Sequence, residues 1–83
     1  MPERLTLSAL PLMESAYVTH MTAQSDMKQR LTDLGLIPGT RVTCTARSPS
    51  GDPRAYLIRG TLIALRNADA DHIWLERREA VPT

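Results

Sequence analysis

The sequence predicts a mainly β domain, a small barrel of about five short strands with one α-helix inserted after the first long strand. Three observations predict it. The stretch Arg30-Leu31-Thr32-Asp33-Leu34-Gly35-Leu36-Ile37-Pro38-Gly39 reads as the end of an amphipathic helix running straight into a proline-glycine turn. Beyond that turn, apolar and polar residues alternate with period two, as in strands that bury one face. A cluster of turn formers, Ser48-Pro49-Ser50-Gly51-Asp52-Pro53, separates two of these runs and makes a hairpin of them.

Taken in order, Leu5 to Leu12 is stopped by Pro11 and fits either a short helical turn or the start of a strand. Ala16 to Met21 has strand composition, with Ala16, Val18 and His20 on one face and Tyr17, Thr19 and Met21 on the other. Met27, Leu31 and Leu34 recur at i, i+4 and i+7 and give the helix one apolar face, expected to lie on the open side of the barrel. Ser25 or Asp26 supplies an N-cap, and Gln29 stands three residues after Asp26 in a capping-box arrangement. Gly35 ends the helix in the left-handed conformation, with Leu36 folding back, and Pro38-Gly39 fits the centre of a type II turn.

From Thr40 to Ala46 the alternation sets Val42, Cys44 and Ala46 on one side and Arg41, Thr43, Thr45 and Arg47 on the other. Ala55 to Arg59 is the next strand, and Gly60 marks a bulge or sharp bend before Thr61 to Leu65. Arg66 to Asp71 is a polar connector with room for one helical turn. His72 to Glu76 closes the barrel with Ile73 and Leu75 inward, and the tail from Arg77 onward is expected to be loose.

Composition bounds the function. Eighty-three residues with 42% apolar content and no Phe make one domain, residues 1–83 with a core of about 5–76, whose interior is small and aliphatic. A chain of this size buries only about 60% of its unfolded surface, so a homodimer through an edge strand or a helix face would add useful burial. Ten Lys and Arg against nine Asp and Glu leave a net charge of +1, too little to favour nucleic acid or anionic membranes. A single cysteine excludes an internal disulfide, and no apolar run approaches a membrane span. The expected location is the cytoplasm, reaching the inner membrane only through a partner.

Chemistry-bearing patterns are sparse. His20, His72, Cys44, Asp69 and Asp71 are the metal-ligand types at hand, yet none has motif spacing; Asp69 and Asp71 are read as caps in a solvated connector, Cys44 as a buried hydrophobe. No nucleophile, histidine and orienting acid can be picked out, and the four glycines form no phosphate loop, so no enzyme, cofactor or metal site is expected. Nine of the ten cationic residues are arginines, and Arg41, Arg47, Arg54, Arg59 and Arg66 fall together in the second half. The planar guanidinium suits partner carboxylates, which favours a docking face; contacts of Arg59 and Arg66 to loop carbonyls are the alternative. Trp74 is placed on the outer face of the last strand near Tyr56, or under the tail.

The order Arg30-Leu31-(two)-Leu34-Gly35-Leu36-Ile37-Pro38-Gly39-Thr40, Ser48-Pro49-(one)-Gly51-Asp52-Pro53, Arg59-Gly60, Ala64-Leu65-Arg66 and Ala70-(two)-Ile73 resembles the FeoA family of ferrous iron transport A domains. The resemblance spans about Leu5 to Leu75. It implies an SH3-like barrel and a non-enzymatic accessory of FeoB, the bacterial membrane GTPase and permease for ferrous iron. Family members often carry a glycine in the turn that Pro11 to Ser15 occupies here. The fold also resembles the C-terminal domain of diphtheria-toxin-type repressors, without their DNA-binding part. Candidate partner-binding residues are Arg30, Leu31, Leu34, Arg59, Arg66 and Trp74. The other classes of function in play are a metal-sensing or metal-delivery domain and a nucleic-acid-binding barrel.

Overall fold

The computed structural model describes residues 3–77. Six strands, one more than expected, form a single antiparallel sheet: β1 (Arg4–Thr6), β2 (Ser15–Met21), β3 (Arg41–Arg47), β4 (Arg54–Ile58), β5 (Thr61–Leu65) and β6 (Ile73–Glu76). They lie in the order β1-β6-β2-β3-β4-β5. Helix α1 (Ser25–Asp33) joins β2 to β3, and the single turn α2 (Asn67–Ala70) joins β5 to β6. The first segment takes up both of its options, a strand and then a 3-10 turn over Leu7–Ala9.

The curled sheet and α1 enclose an aliphatic core that includes Leu7, Leu10, Leu31, Leu36, Val42, Cys44, Ile58, Ile73 and Leu75, with Tyr56 the largest buried side chain. The helix contributes as its periodicity requires: Leu31 is fully buried, and Met27 and Leu34 pack against the core from its margin. Burial of one such leucine stabilises by roughly 1.5–3 kcal/mol. Gly35 has φ +100°. Its N–H reaches the Thr32 carbonyl at 2.9 Å while Leu36 N–H reaches that of Leu31 at 3.2 Å, the paired bonds of a Schellman ending. Thr40 N–H then bonds the Ile37 carbonyl at 3.0 Å across Pro38-Gly39, closing the turn that proline and glycine encode.

Five local expectations are corrected. Helix α1 begins at Ser25 with Gln24 in the N-cap position and no side-chain cap, and Gln29 bonds Asp33 at 2.9 Å instead of reaching back. A register shift between Val18 and His20 inverts the faces of β2, so His20 is exposed and Met21 packs on the core. A second shift, between Cys44 and Ala46, turns Ala46 outward. Of the two readings of Gly60 the bulge falls and the sharp bend stands: Ile58 pairs Thr61, and Arg59 and Gly60, with φ of 51° and 82°, make the two-residue turn of a β4–β5 hairpin. Trp74 is far from the Tyr56 phenol in role, since Tyr56 is buried and bonds the Leu7 carbonyl at 3.3 Å, while Trp74 stacks on His20 with centroids 6.1 Å apart and rings 5° from parallel.

The expected loose tail begins with an anchored residue. Arg77 N–H bonds the Glu3 carbonyl at 2.8 Å, and its guanidinium meets Glu14 at 2.9 Å; the rest of that tail lies outside the described residues. No helix among the described residues is long and apolar enough to cross a membrane.

Candidate protein-docking site

Two turns at one end of the sheet frame a groove of about 570 Å³ lined by Ile37, Pro38, Gly39, Thr40, Arg41, Thr43, Leu57, Arg59 and Gly60. One wall is the type II turn between α1 and β3, and the other is the β4–β5 hairpin turn. Its floor follows from strand register. Ser15 pairs Thr43, Thr43 pairs Leu57 and Leu57 pairs Leu62, so these four side chains form one row on the outer face of the sheet. Ser15 and Thr43 join hydroxyls at 2.7 Å. Leu57 and Leu62 leave 39% and 67% of their surface exposed, although Tyr56 and Ile58 on either side of Leu57 are buried.

Arg59 stands over this groove because of Gly35. Its Cγ and Cδ run alongside the glycine, close enough that a β-carbon there would meet Cδ at 2.9 Å. Arg41 enters from β3 and donates to Ser15 Oγ at 3.4 Å. The lining carries these two cations and no acid. In register, Tyr17 separates Arg41 from Glu76.

The six candidate partner residues do not converge. Arg59 lies in the groove. Arg30, on the exposed side of α1, pairs with Asp69 at 3.5 Å, and Arg66 is exposed at the N-cap position of α2. Leu31 is fully buried and Leu34 half-buried, so the helix spends both on the core. Trp74 occupies a different part of the outer face, against His20. Ile37, Leu57 and Leu62 were not among the candidates; an apolar residue at the solvent-facing phase of β4 was the signal available for Leu57.

The loop-carbonyl role foreseen for Arg59 and Arg66 belongs to Arg54. Its guanidinium donates to the Leu10 carbonyl at 3.1 Å and the Gly51 carbonyl at 3.4 Å. Asn67 side-chain N–H also reaches Gly51, at 3.2 Å, and Asp52 Oδ1 accepts the backbone N–H of Asn67 at 3.0 Å. The exposed 48–53 loop is thereby tied to α2.

The metal-ligand types are dispersed. Asp69 faces Arg30, Asp71 accepts from Ser8, His72 Nδ1 lies 3.3 Å from Thr22 Oγ1 and His20 Nδ1 lies 3.0 Å from Thr19 Oγ1. Among the described residues no three His, Cys, Asp or Glu side chains form a group. Cys44 is buried and free. Burial, with Cys44 beside it, pushes the Tyr56 phenol up to about 12.

This architecture is shared. The chain is similar to a FeoA-like protein from Clostridium acetobutylicum with a TM-score of 0.85 at 24% identity, all of this chain and 96% of that one being covered. It is similar to Stenotrophomonas maltophilia FeoA complexed with zinc, described as a prokaryotic SH3 domain protein, with a TM-score of 0.76 at 32% identity over 92% of this chain and 99% of that one. A manganese-dependent transcriptional repressor shares the fold at TM-score 0.83 and 19% identity, this chain spanning 44% of its length. No curated protein matches the sequence. The fold is SH3-like, and a family model described as the FeoA domain matches residues 5–77. The match takes in the helix stop at Gly35, the Pro38-Gly39 turn and the Arg59-Gly60 turn, and the chain belongs to the FeoA family, which is associated with ferrous iron transport.

Proposed function

We propose that this chain is a non-enzymatic cytosolic accessory of bacterial ferrous iron uptake, which docks on the cytosolic part of a FeoB-type GTPase and permease and modulates it without handling the ion. Membership of the FeoA family supports the transport setting. The observation that carries docking is the outer face of β3, β4 and β5, where Leu57 and Leu62 lie exposed beside Arg41 and Arg59. Arginine is enriched at protein interfaces, and the exposed leucines beside it add contiguous apolar surface that a partner can bury. Nothing in the reading requires a membrane segment of this chain, since the partner supplies the membrane location.

Calorimetric titration of the purified chain into the GTPase domain of its cognate transporter, under anaerobic conditions, tests it. Saturable binding without ferrous ion is expected. Absence of binding to both that domain and the full transporter would sink the reading.

Direct metal binding is a second reading, favoured by the zinc complex of the Stenotrophomonas maltophilia relative. It requires a stoichiometric, ferrous-selective isotherm that is lost on replacing His20 or His72. Binding to the transporter only when ferrous ion is present would bring it forward.

A further inference from the structure

We propose that the groove between the Ile37–Thr40 turn and the Arg59–Gly60 turn, extended by Leu57 and Leu62, takes an acidic segment of a partner protein in which carboxylates flank an apolar side chain. The proposal rests on the docking reading above and names the surface and the chemistry of its occupant.

Charge selects the occupant. Between residues 34 and 68 the chain carries five arginines, Arg41, Arg47, Arg54, Arg59 and Arg66, against a single acid, Asp52. That acid is engaged, its carboxylate accepting the Asn67 N–H, and Arg54 is engaged with two carbonyls. The groove itself presents Arg41 and Arg59 with no carboxylate in the lining. The described ion pairs lie elsewhere, at Arg30 with Asp69 and at Arg77 with Glu3 and Glu14. A guanidinium is built to take a carboxylate through two parallel N–H bonds, and the occupant's apolar side chain covers Leu57, Leu62 and Ile37.

Arg59 is also prepared for this role. It sits in a tight turn at φ 51°, and its methylene stem lies against Gly35. Its rotamer freedom is already reduced before any partner arrives, which lowers the entropy cost of binding. A second copy of this chain fits less well. Antiparallel pairing of two β5 edges about Ile63 sets Arg66 of one copy opposite Gly60 of the other, next to Arg59, and brings like charges together.

The test titrates the full chain into the cytosolic domain of its cognate transporter, comparing wild type with Arg41→Glu, Arg59→Glu, Leu57→Ser and Arg47→Glu, each first shown by circular dichroism to fold. Arg47 is exposed on β3 and outside the groove. Arg41→Glu and Arg59→Glu are expected to weaken binding about tenfold or more, Leu57→Ser to weaken it as well, and Arg47→Glu to stay within about twofold, with wild-type affinity falling as salt rises. Wild-type affinity in all groove variants would overturn the groove while leaving docking intact. Loss confined to Leu57→Ser, with no salt dependence, would overturn the acidic occupant. A concentration-dependent dimer abolished by Leu62→Lys would give the face to a second copy instead. No wild-type binding to that domain or to the full transporter would remove the docking reading and this inference together.

Discussion

Arg59 runs its side-chain stem across Gly35, with Cδ 2.9 Å and Cγ 3.5 Å from where a β-carbon of residue 35 would stand. Two turns distant in sequence, the helix ending and the β4–β5 hairpin, are therefore fitted to each other through the absence of one side chain. Gly35→Ala meets two obstacles, a φ of +100° and that contact. The left-handed backbone alone costs roughly 1–2 kcal/mol, so a total loss of about 2 kcal/mol in urea unfolding is expected. Arg59→Ala in the same chain should restore only the contact part. Full restoration would mean that backbone conformation is not limiting.

Met13 supplies the opposite case. It holds φ 68° in the turn closed by Glu14 N–H on the Pro11 carbonyl, and 71% of its surface is exposed. Little packing is lost on truncation, whereas left-handed strain is relieved. Met13→Gly should raise stability by about 1 kcal/mol, less the backbone entropy glycine brings. A lower melting temperature would refute this.

Alkaline unfolding should report on Tyr56. The unfolded phenol ionises near its ordinary value of 10, whereas burial holds the folded one to about 12. Between those values the unfolded state carries fewer protons than the folded, so stability present below pH 10 declines as pH rises toward 12. The total approaches roughly 2–3 kcal/mol. Tyr56→Phe leaves the Leu7 carbonyl without its donor and costs about 1 kcal/mol at neutral pH, but its alkaline decline should be flatter. Parallel pH profiles for the two proteins would rule the mechanism out.

Arg54 is expected to be the arginine whose loss most affects folding. Arg54→Met keeps much of the stem but leaves the Leu10 carbonyl without this donor and the Gly51 carbonyl with Asn67 alone, at a cost of about 1–3 kcal/mol. Arg54→Lys should recover part, because an ammonium cannot span both acceptors as the fork does. Arg66→Met, at an exposed position, should change unfolding by less than about 0.5 kcal/mol. Equal effects at the two sites would contradict this division.

What was legible followed local rules. The Met27, Leu31 and Leu34 spacing fixed the helix face, Gly35 its end, Pro38-Gly39 the turn, and the alternation around Val42 and Cys44 a buried strand face. The errors arose where one residue changed phase. Register shifts at Thr19 and Thr45 reversed the facing of His20, Met21 and Ala46, and nothing within either strand announces them, because they are set by pairing with β6 and β4. Arg59-Gly60 was read through its glycine alone, since an arginine at positive φ carries no local signal. The groove was illegible for a related reason. Its walls are turns about twenty residues apart, and Leu57 and Leu62 become neighbours only when β4 pairs with β5.

The bond from Arg77 N–H to the Glu3 carbonyl brings the first and last described residues together at one margin of the sheet, where β1 and β6 pair. A fold whose entrance and exit coincide can be spliced into another polypeptide as a cassette, leaving the host's path almost undisturbed. The manganese-dependent repressor carries the same architecture inside a chain more than twice as long. For the experimenter the doorway is equally convenient: a linker joined directly to Glu3 or to Arg77 leaves from one corner of the domain.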